Sequence, residues 1–359
     1  MKPIVFGVIG GGWRSEFFLR IAKELPDLFQ VGGMVIRDKN KATEFEDKWG
    51  VKTFPAVDSF LENGDLSFVV LSVPPSVTSE FIIELANRDI PILAETPPAP
   101  DLTSLITLNQ QLKKGAKVQI AEQFAFQPRN ASLLELIQSG KLGIIRQVQL
   151  SVAHGYHGMS LMRKLLGILY EDAAIHAYQF HSPLIDGPNR QGPPTKARIT
   201  ESQQTVATLH FDNKLGIYDF SGDQYFSWIR SPRLLIRGER GEITNDQISY
   251  LKEFDTPVYL DLKRVDTGEY GNLEGYYHKG FLVGDEWIYK NPFIPGRLSD
   301  EEIAIATTLK KMAEYVNGGP SFYSLEEASQ DQYLSLLITK SIETNEKVET
   351  TKQIWAISY

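Results

Sequence analysis

The stretch Gly7–Ser15, GVIGGGWRS, decides the fold of this chain of 359 residues. It follows the apolar run Ile4–Ile9, which is typical of a buried strand, and overlaps Trp13–Leu25, whose apolar residues recur with helical spacing. A strand, a glycine turn and a helix in this order bring a pyrophosphate close to backbone N–H groups. Ser15 stands where this dinucleotide fingerprint has its third glycine. The residues predicted to line the site are Gly10, Gly11, Gly12, Trp13 and Arg14.

The end of the second predicted strand bears on the choice of dinucleotide. An acidic residue at this place binds the adenosine ribose in NAD-dependent proteins, and this chain has Ile36 followed by Arg37. A guanidinium can hold a 2′-phosphate, so the sequence predicts NAD(P) as the cofactor and favours NADP. The alternative is that Arg37 is a solvated charge and Asp38 contacts the ribose.

Short apolar runs alternate with helical patterns over residues 1–121, which are expected to form the first domain. This alternation predicts βαβ units and a doubly wound parallel sheet. The predicted strands are Ile4–Ile9, Val31–Ile36, Ser67–Val73, Ile90–Ala94 and Lys117–Ala121. The predicted helices are Trp13–Leu25, Lys39–Trp49, Val77–Asn87 and Leu102–Lys114.

Residues 122–359 show a different pattern, expected to form a second domain. Strand patterns and turns fill residues 171–290, including a hairpin from Gln204–Phe211 and Leu215–Phe220. The predicted helices are Ala131–Ser139, Met159–Leu166, Asp300–Asn317 and Glu326–Asn345. The fold class is therefore α/β, an N-terminal Rossmann domain followed by an α+β domain with a large, mostly antiparallel sheet.

Composition narrows the function classes. The net charge of −8 argues against a nucleic-acid partner. The chain contains no cysteine, which excludes disulfides and thiolate metal sites, and no His/Asp/Glu cluster has metal-site spacing. No apolar run reaches the roughly 18 residues of a membrane span, and the N-terminus lacks a signal-peptide pattern. We expect a cytoplasmic protein without a metal and without a membrane partner.

Four segments resemble the Gfo/Idh/MocA oxidoreductases over essentially the whole chain. They are Val69–Pro75, Ile92–Pro97, Gly140–Gly143 and Gly238–Ile243. The resemblance implies hydride transfer between NAD(P) and a sugar, polyol or related carbonyl compound. It also implies a homodimer or homotetramer formed through the C-terminal sheet.

The resemblance carries over to a set of cofactor contacts at the ends of the later strands. The family's Glu-Lys-Pro signature corresponds to Glu95-Thr96-Pro97, so Thr96 replaces the lysine that helps to polarise the substrate. The implied cofactor contacts are Ser72, Pro74, Glu95, Thr96, Pro97 and Gln123.

Two segments compete for the family's Asp-x-Gly-x-His signature. Asp172–His176 has the Asp-to-His spacing, but buried and polar positions alternate there as in a strand. Ala153–His157 fits the glycine and the histidine, with Ala153 in place of the aspartate. We therefore predict that His176 is a strand residue and that His157 faces the nicotinamide.

The predicted catalytic residues are His157, Tyr156 and His154, because an imidazole titrates near neutral pH and can exchange the alcohol proton. The alternative is structural: His154 ends a strand and His157 caps the next helix. Tyr276–Lys279 is a polar, aromatic stretch of the kind that lines sugar pockets, but a solvated edge strand is the favoured interpretation. The rivals to a dehydrogenase are a non-catalytic nucleotide-binding sensor, favoured by the missing lysine and aspartate, and an NAD-dependent glycoside-cleaving enzyme with Tyr156 or His157 as base.

Overall fold

The computed structural model describes residues 2–62, 65–268, 270 and 273–356. Contacts divide the chain into two compact units. Unit 1 comprises residues 1–131, 265–280 and 290–329, and unit 2 comprises residues 132–264, 281–289 and 330–359. The predicted domain boundary between residues 121 and 122 stays a prediction. Its outer limits, Met1 and residues 357–359, lie outside the described residues.

Unit 1 contains a parallel sheet with six strands in the part of the chain that the structure describes, in the order β3-β2-β1-β4-β5-β6. The strands are Ile4–Ile9 (β1), Phe29–Val35 (β2), Thr53–Phe54 (β3), Phe68–Leu71 (β4), Ile92–Ala94 (β5) and Val118–Ile120 (β6). The helices between them are Ser15–Glu24 (α1), Lys39–Trp49 (α2), Val57–Leu61 (α3), Pro75–Asn87 (α4) and Leu102–Gln111 (α5). This is the doubly wound order, and it confirms the predicted Rossmann sheet.

Burial explains why these runs form a parallel sheet. The four residues of β4 and the three of β5 are completely inaccessible to solvent, as expected for strands covered by helices on both faces. The sheet order reverses between β1 and β4, which places the carboxyl ends of these strands on either side of a crevice. The glycine turn follows β1, so the fold puts it at this crevice.

The second sheet has eleven strands among the described residues, in the order β16-β15-β14-β13-β12-β11-β7-β10-β9-β8-β17. Its strands are Ile145–Ser151 (β7), Ala173–Ile185 (β8), Ile199–Phe211 (β9), Lys214–Ser221 (β10), Arg233–Gly238 (β11), Gly241–Thr244 (β12), Gln247–Glu253 (β13), Thr256–Asp266 (β14), His278–Val283 (β15), Glu286–Lys290 (β16) and Val348–Glu349 (β17). The pairs that define its centre are antiparallel except for β7 with β10. The predicted antiparallel sheet and its β9–β10 hairpin are confirmed.

Four further helices complete the described part of the fold. They are Pro128–Gln138 (α6), Gly155–Leu166 (α7), Asp300–Val316 (α8) and Leu325–Thr344 (α9). Helix α7 begins at Gly155, four residues before its predicted start at Met159. The apolar spacing begins only at Met159, while the first turn carries the polar residues Tyr156 and His157.

Strand β8 alternates as the sequence indicates. Ala173, Ile175 and Ala177 are buried, whereas His176 and Tyr178 are exposed. No helix in the described ranges is both long enough and apolar enough to cross a membrane.

Candidate functional site

Gly10 and Gly12 of the glycine turn in unit 1 differ in the space that a side chain would meet. Gly10 has a φ of +117°, and a Cβ there would lie 2.0 Å from the Ser72 carbonyl oxygen. The chain itself therefore requires glycine at position 10. A Cβ at Gly12 would meet no atom within 4 Å. Position 12 thus borders open space at the start of α1, which fits the approach of a pyrophosphate to backbone N–H groups.

Ser15 takes the place of the third glycine without disturbing the turn. Its side chain is completely buried, and its hydroxyl donates a hydrogen bond to the Gly10 carbonyl oxygen at 3.1 Å. The Ser15 N–H donates to the Gly12 carbonyl oxygen at 3.0 Å. A small polar residue therefore closes the turn on itself at the position where helix and strand pack together.

Arg14 and Glu95, both predicted to contact the cofactor, contact each other. The Arg14 Nε lies 3.0 Å from a Glu95 carboxylate oxygen, and its Nη1 lies 2.5 Å from one of Glu301, in α8. Burial alone would lower the pKa of Arg14, but the two carboxylates outweigh it and hold the pKa above its ordinary value. The guanidinium is thus a fixed cation beside the turn. Trp13, its neighbour, is 54% exposed.

The end of β2 carries the residues of both alternatives for ribose recognition. Ile36 is buried, and its side chain lies 3.2 Å from the position of a Cβ on Gly11. Arg37 is exposed, whereas the Asp38 carboxylate accepts a hydrogen bond from the Lys41 N–H at 2.9 Å and caps α2. Asp38 thus caps α2, but both side chains are exposed, so which of them meets a dinucleotide stays a prediction.

The ends of β4, β5 and β6 carry the remaining predicted cofactor contacts. Thr96 is partly exposed and Pro97 is buried, while Ser72 is 8% exposed and Pro74 is exposed at the start of α4. Gln123 is 2% exposed, and its side-chain oxygen has no hydrogen-bond partner among the described residues. An unsatisfied buried amide oxygen is costly, so Gln123 fits a place where a bound ligand donates a hydrogen bond.

The three predicted catalytic residues form one cluster in unit 2. His154 is the residue before α7, and Tyr156 and His157 lie in the first turn of that helix. The imidazole centres of His154 and His157 are 5.0 Å apart, and the Tyr156 ring centre is 4.4 Å from that of His157. His157 is 6% exposed, whereas His154 is exposed. The cluster thus presents one accessible and one buried imidazole.

Two tyrosines that the sequence analysis missed hold this cluster in place. The Tyr218 hydroxyl donates to the Ala153 carbonyl oxygen at 2.9 Å and accepts from the Gly155 N–H at 3.0 Å. Burial raises the pKa of Tyr218 above its ordinary value, so the group remains a phenol at neutral pH. The Tyr225 hydroxyl accepts from the His154 N–H at 3.0 Å. Both tyrosines lie more than 60 residues from the loop, and no local pattern could have identified them.

The competing segment around His176 forms part of β8, as predicted. His176 is exposed and pairs with Thr208 of β9. The Asp172 carboxylate accepts a hydrogen bond from the Thr350 hydroxyl at 2.9 Å, just before the strand begins. His176 therefore holds a strand position, and Asp172 lies directly before the strand. Which histidine faces a nicotinamide stays a prediction.

The prediction of a solvated edge strand at Tyr276–Lys279 is wrong. His278 begins β15, which lies between β14 and β16, and it is only 3% exposed. Its Nδ1 lies 2.8 Å from an Asp266 carboxylate oxygen, which compensates the burial of a polar ring. The polar residues of this segment suggested exposure to solvent, but His278 is buried and contacts Asp266.

Comparison with known proteins agrees with this architecture. The model of the family described as "Oxidoreductase family, NAD-binding Rossmann fold", GFO_IDH_MocA, matches residues 4–123. This match agrees with the resemblance to the Gfo/Idh/MocA oxidoreductases that the sequence motifs of this part of the chain indicated. The match covers the sheet and the glycine turn of unit 1.

Curated relatives match part of the chain, and two of them show the extent of the match. An inositol 2-dehydrogenase of Arthrobacter sp. (strain FB24) is 28% identical over 140 residues, 38% of this chain and 41% of the relative. A dTDP-3,4-didehydro-2,6-dideoxy-alpha-D-glucose 3-reductase of Saccharopolyspora spinosa is 27% identical over 151 residues, 41% of this chain and 44% of the relative. The matched segments thus span less than half the length of these relatives.

Solved structures match nearly the whole chain. A levoglucosan dehydrogenase in complex with NADH and levoglucosan has a TM-score of 0.69 at 18% identity and covers 97% of this chain and 99% of its own. An oxidoreductase from Agrobacterium radiobacter in complex with NAD+, L-tartaric acid and magnesium has a TM-score of 0.68 at 14% identity, with coverage of 96% and 98%. At these identities the likeness establishes the shared two-domain fold.

Proposed function

We propose that this protein is an NAD(P)-dependent oxidoreductase that acts on a sugar, a polyol or a related small carbonyl compound. The observation that carries the proposal is the open space at Gly12, next to the N-terminus of α1, in a segment that matches the model of an NAD-binding oxidoreductase family. A nicotinamide dinucleotide bound there would accept or supply a hydride. The chain has to hold the dinucleotide and exchange a proton with the substrate oxygen.

For the dinucleotide, the backbone of Gly10–Gly12 and the start of α1 would bind the pyrophosphate. Arg37 would hold a 2′-phosphate, because it is an exposed guanidinium directly after β2 and the apolar Ile36 stands at the expected acidic position. This supports NADP over NAD. Further contacts are proposed for Ser72, Pro74, Glu95, Thr96, Pro97 and Gln123.

For the proton, we propose His157, Tyr156 and His154. Imidazole is the side chain whose ordinary pKa best suits proton exchange near neutral pH. The cluster is pre-positioned, because the Tyr218 hydroxyl binds the main chain of Ala153 and Gly155 and the Tyr225 hydroxyl accepts from the His154 N–H. The relatives named for inositol, a dTDP-sugar and levoglucosan support a carbohydrate-like substrate.

A screen with both cofactors tests the proposal. NAD, NADP and their reduced forms would each be incubated with a panel of sugars, polyols and keto-sugars, while absorbance of the reduced nicotinamide is recorded. Substrate-dependent hydride transfer with at least one compound is expected. Failure of calorimetry to detect binding of any of the four dinucleotides would refute the proposal.

A second candidate is a nucleotide-binding sensor without catalysis. It is favoured by Thr96, which offers a hydroxyl where the family has a lysine, and by Ala153, which offers no carboxylate. Dinucleotide binding together with no turnover across the whole substrate panel would favour this sensor over an enzyme.

We also propose that copies of this chain associate through the open face of the second sheet. Tyr178 and Phe180 of β8 are 51% and 55% exposed on the face opposite the buried alanines. Exposed aromatic side chains of this kind favour protein contacts. Light scattering after size exclusion should show a dimer or tetramer that Tyr178→Asp weakens, and a monomeric wild-type protein would contradict the idea.

A further inference from the structure

The Tyr225 hydroxyl contacts both the main chain and the ring of His154. Its oxygen lies 3.0 Å from the His154 backbone nitrogen and 2.7 Å from Nδ1 of the same residue. The phenol ring packs edge-on against Phe220, a buried residue, with ring centres 5.1 Å apart. The hydroxyl is therefore held in place independently of any ligand.

We infer that Tyr225 is a positioning residue that fixes the neutral His154 imidazole as a hydrogen-bond donor through Nε2. A backbone N–H can only donate, so the Tyr225 oxygen must accept at that contact. A hydroxyl that accepts one hydrogen bond becomes a stronger donor, and Nδ1 lies within 2.7 Å of it. An imidazole that accepts at Nδ1 carries its hydrogen on Nε2.

This inference rests on the proposed function and divides the work among its catalytic residues. His154 is exposed, so its Nε2–H can donate to the oxygen of a bound carbonyl or alcohol. A neutral imidazole can polarise a carbonyl group in this way without acting as the base. Proton transfer then falls to His157, whose ring centre is 5.0 Å from that of His154, and to Tyr156.

Tyr218 provides a matched control. Its hydroxyl also binds the loop before α7, but the bonds run to the Ala153 carbonyl oxygen and the Gly155 N–H, which are main-chain groups. Tyr218→Phe should loosen the loop and leave the His154 tautomer as in the wild type. Tyr225→Phe keeps the ring that packs on Phe220 and removes the hydroxyl that contacts Nδ1.

The test is long-range proton–nitrogen NMR of the full chain labelled with ¹⁵N, recorded above the pKa of His154 and without any dinucleotide. The chain has six histidines, so His154→Gln assigns the signal by its disappearance. The wild type should show a hydrogen on Nε2 and an unprotonated, hydrogen-bonded Nδ1. Tyr225→Phe should lose the hydrogen bond at Nδ1 and show a mixture of tautomers with an added Nδ1–H fraction, and Tyr218→Phe should match the wild type.

Two results would overturn the inference: a hydrogen on Nδ1 in the wild type, or a wild-type tautomer in a folded Tyr225→Phe protein. If Tyr225→Phe does not fold, the Nδ1 signal of the wild type decides: an Nδ1 that accepts no hydrogen bond would overturn the inference. Because the spectra need no cofactor, their outcome is separate from that of the binding and turnover assays, which decide the proposed function. In those assays His154→Gln, which keeps an N–H group near the place of Nε2, should retain more turnover than His154→Ala.

Discussion

Replacing Gly12 by valine should abolish dinucleotide binding and leave the fold intact. A Cβ at position 12 meets no atom of the chain within 4 Å, so the folded protein can accommodate the side chain. Substitutions of this kind at open positions change stability by about 0.5 kcal/mol. In the complex, the same volume is where the pyrophosphate approaches backbone N–H groups. Loss of two charge-assisted hydrogen bonds at about 1.5 kcal/mol or more each predicts binding weaker by about 100-fold or more.

Gly10→Ala is the matched control, because the neighbouring glycine is required by the chain itself. A Cβ there would lie 2.0 Å from the Ser72 carbonyl oxygen, and the φ of +117° is unfavourable for alanine. Strain of about 1–3 kcal/mol and overpacking of about 1–3 kcal/mol predict a loss of about 2–6 kcal/mol in the free energy of unfolding. Gly12→Val should therefore lose dinucleotide binding and keep its stability, whereas Gly10→Ala should lose stability.

Calorimetric titration with NAD and NADP, together with thermal unfolding followed by circular dichroism, measures both effects. The Gly12→Val protein should unfold within about 2 °C of the wild type, given about 2–4 °C per kcal/mol for domains of this size. Unchanged dinucleotide affinity in a folded Gly12→Val protein would refute the assignment of the turn. A Gly10→Ala protein as stable as the wild type would refute the steric reasoning.

Three further outcomes are expected. Arg37→Ala should weaken NADP binding by about 1.5–3 kcal/mol, the scale of a hydrogen bond to a charged group, and spare NAD; equal loss for both in calorimetry would contradict the NADP assignment. His157→Asn should lower turnover of the substrate found in the screen by about 10²–10⁴-fold, whereas His176→Asn should leave it nearly unchanged; the reverse result would transfer the acid–base role to the strand histidine. Asp331→Asn should lower the free energy of unfolding in urea by about 3–5 kcal/mol, because Arg163, 2.5 Å away and 2% exposed, would lose its buried counter-charge; an unchanged midpoint would contradict this.

The sequence predicted the elements whose signals are local. The apolar run before Gly10 and the helical spacing after it gave β1 and α1 to within a few residues, because burial on both faces of a parallel sheet selects continuous apolar runs. The alternation in β8 correctly placed His176 in a strand, since each side of that strand meets a different environment. Apolar runs and alternation can be recognised in a single sequence because they arise from residues that are neighbours along the chain.

The sequence did not predict the contacts that join distant segments. Arg14 and Glu301 are 287 residues apart, and His154 and Tyr225 are 71 residues apart. Residues 265–280 and 290–329 group with the Rossmann sheet although they lie far along the chain. His278 was misjudged for the same reason, because its burial depends on strands on both sides and on Asp266. These contacts follow from topology, which periodicity and composition do not encode.

The contact between Tyr225 and His154 affects which residue of the proposed catalytic cluster can act as a base. An aspartate beside a histidine both orients the ring and stabilises the charged imidazolium that forms when the ring takes a proton. A phenol such as Tyr225 can orient the ring, but as a neutral group it gives much less stabilisation to the charge. An imidazole held in this way is therefore better suited to donate a hydrogen bond than to act as a base. The resemblance implies Ala153 at the place of the family's aspartate, so the proposed function requires another residue of the cluster as the base. We propose His157, whose ring centre is 5.0 Å from that of His154.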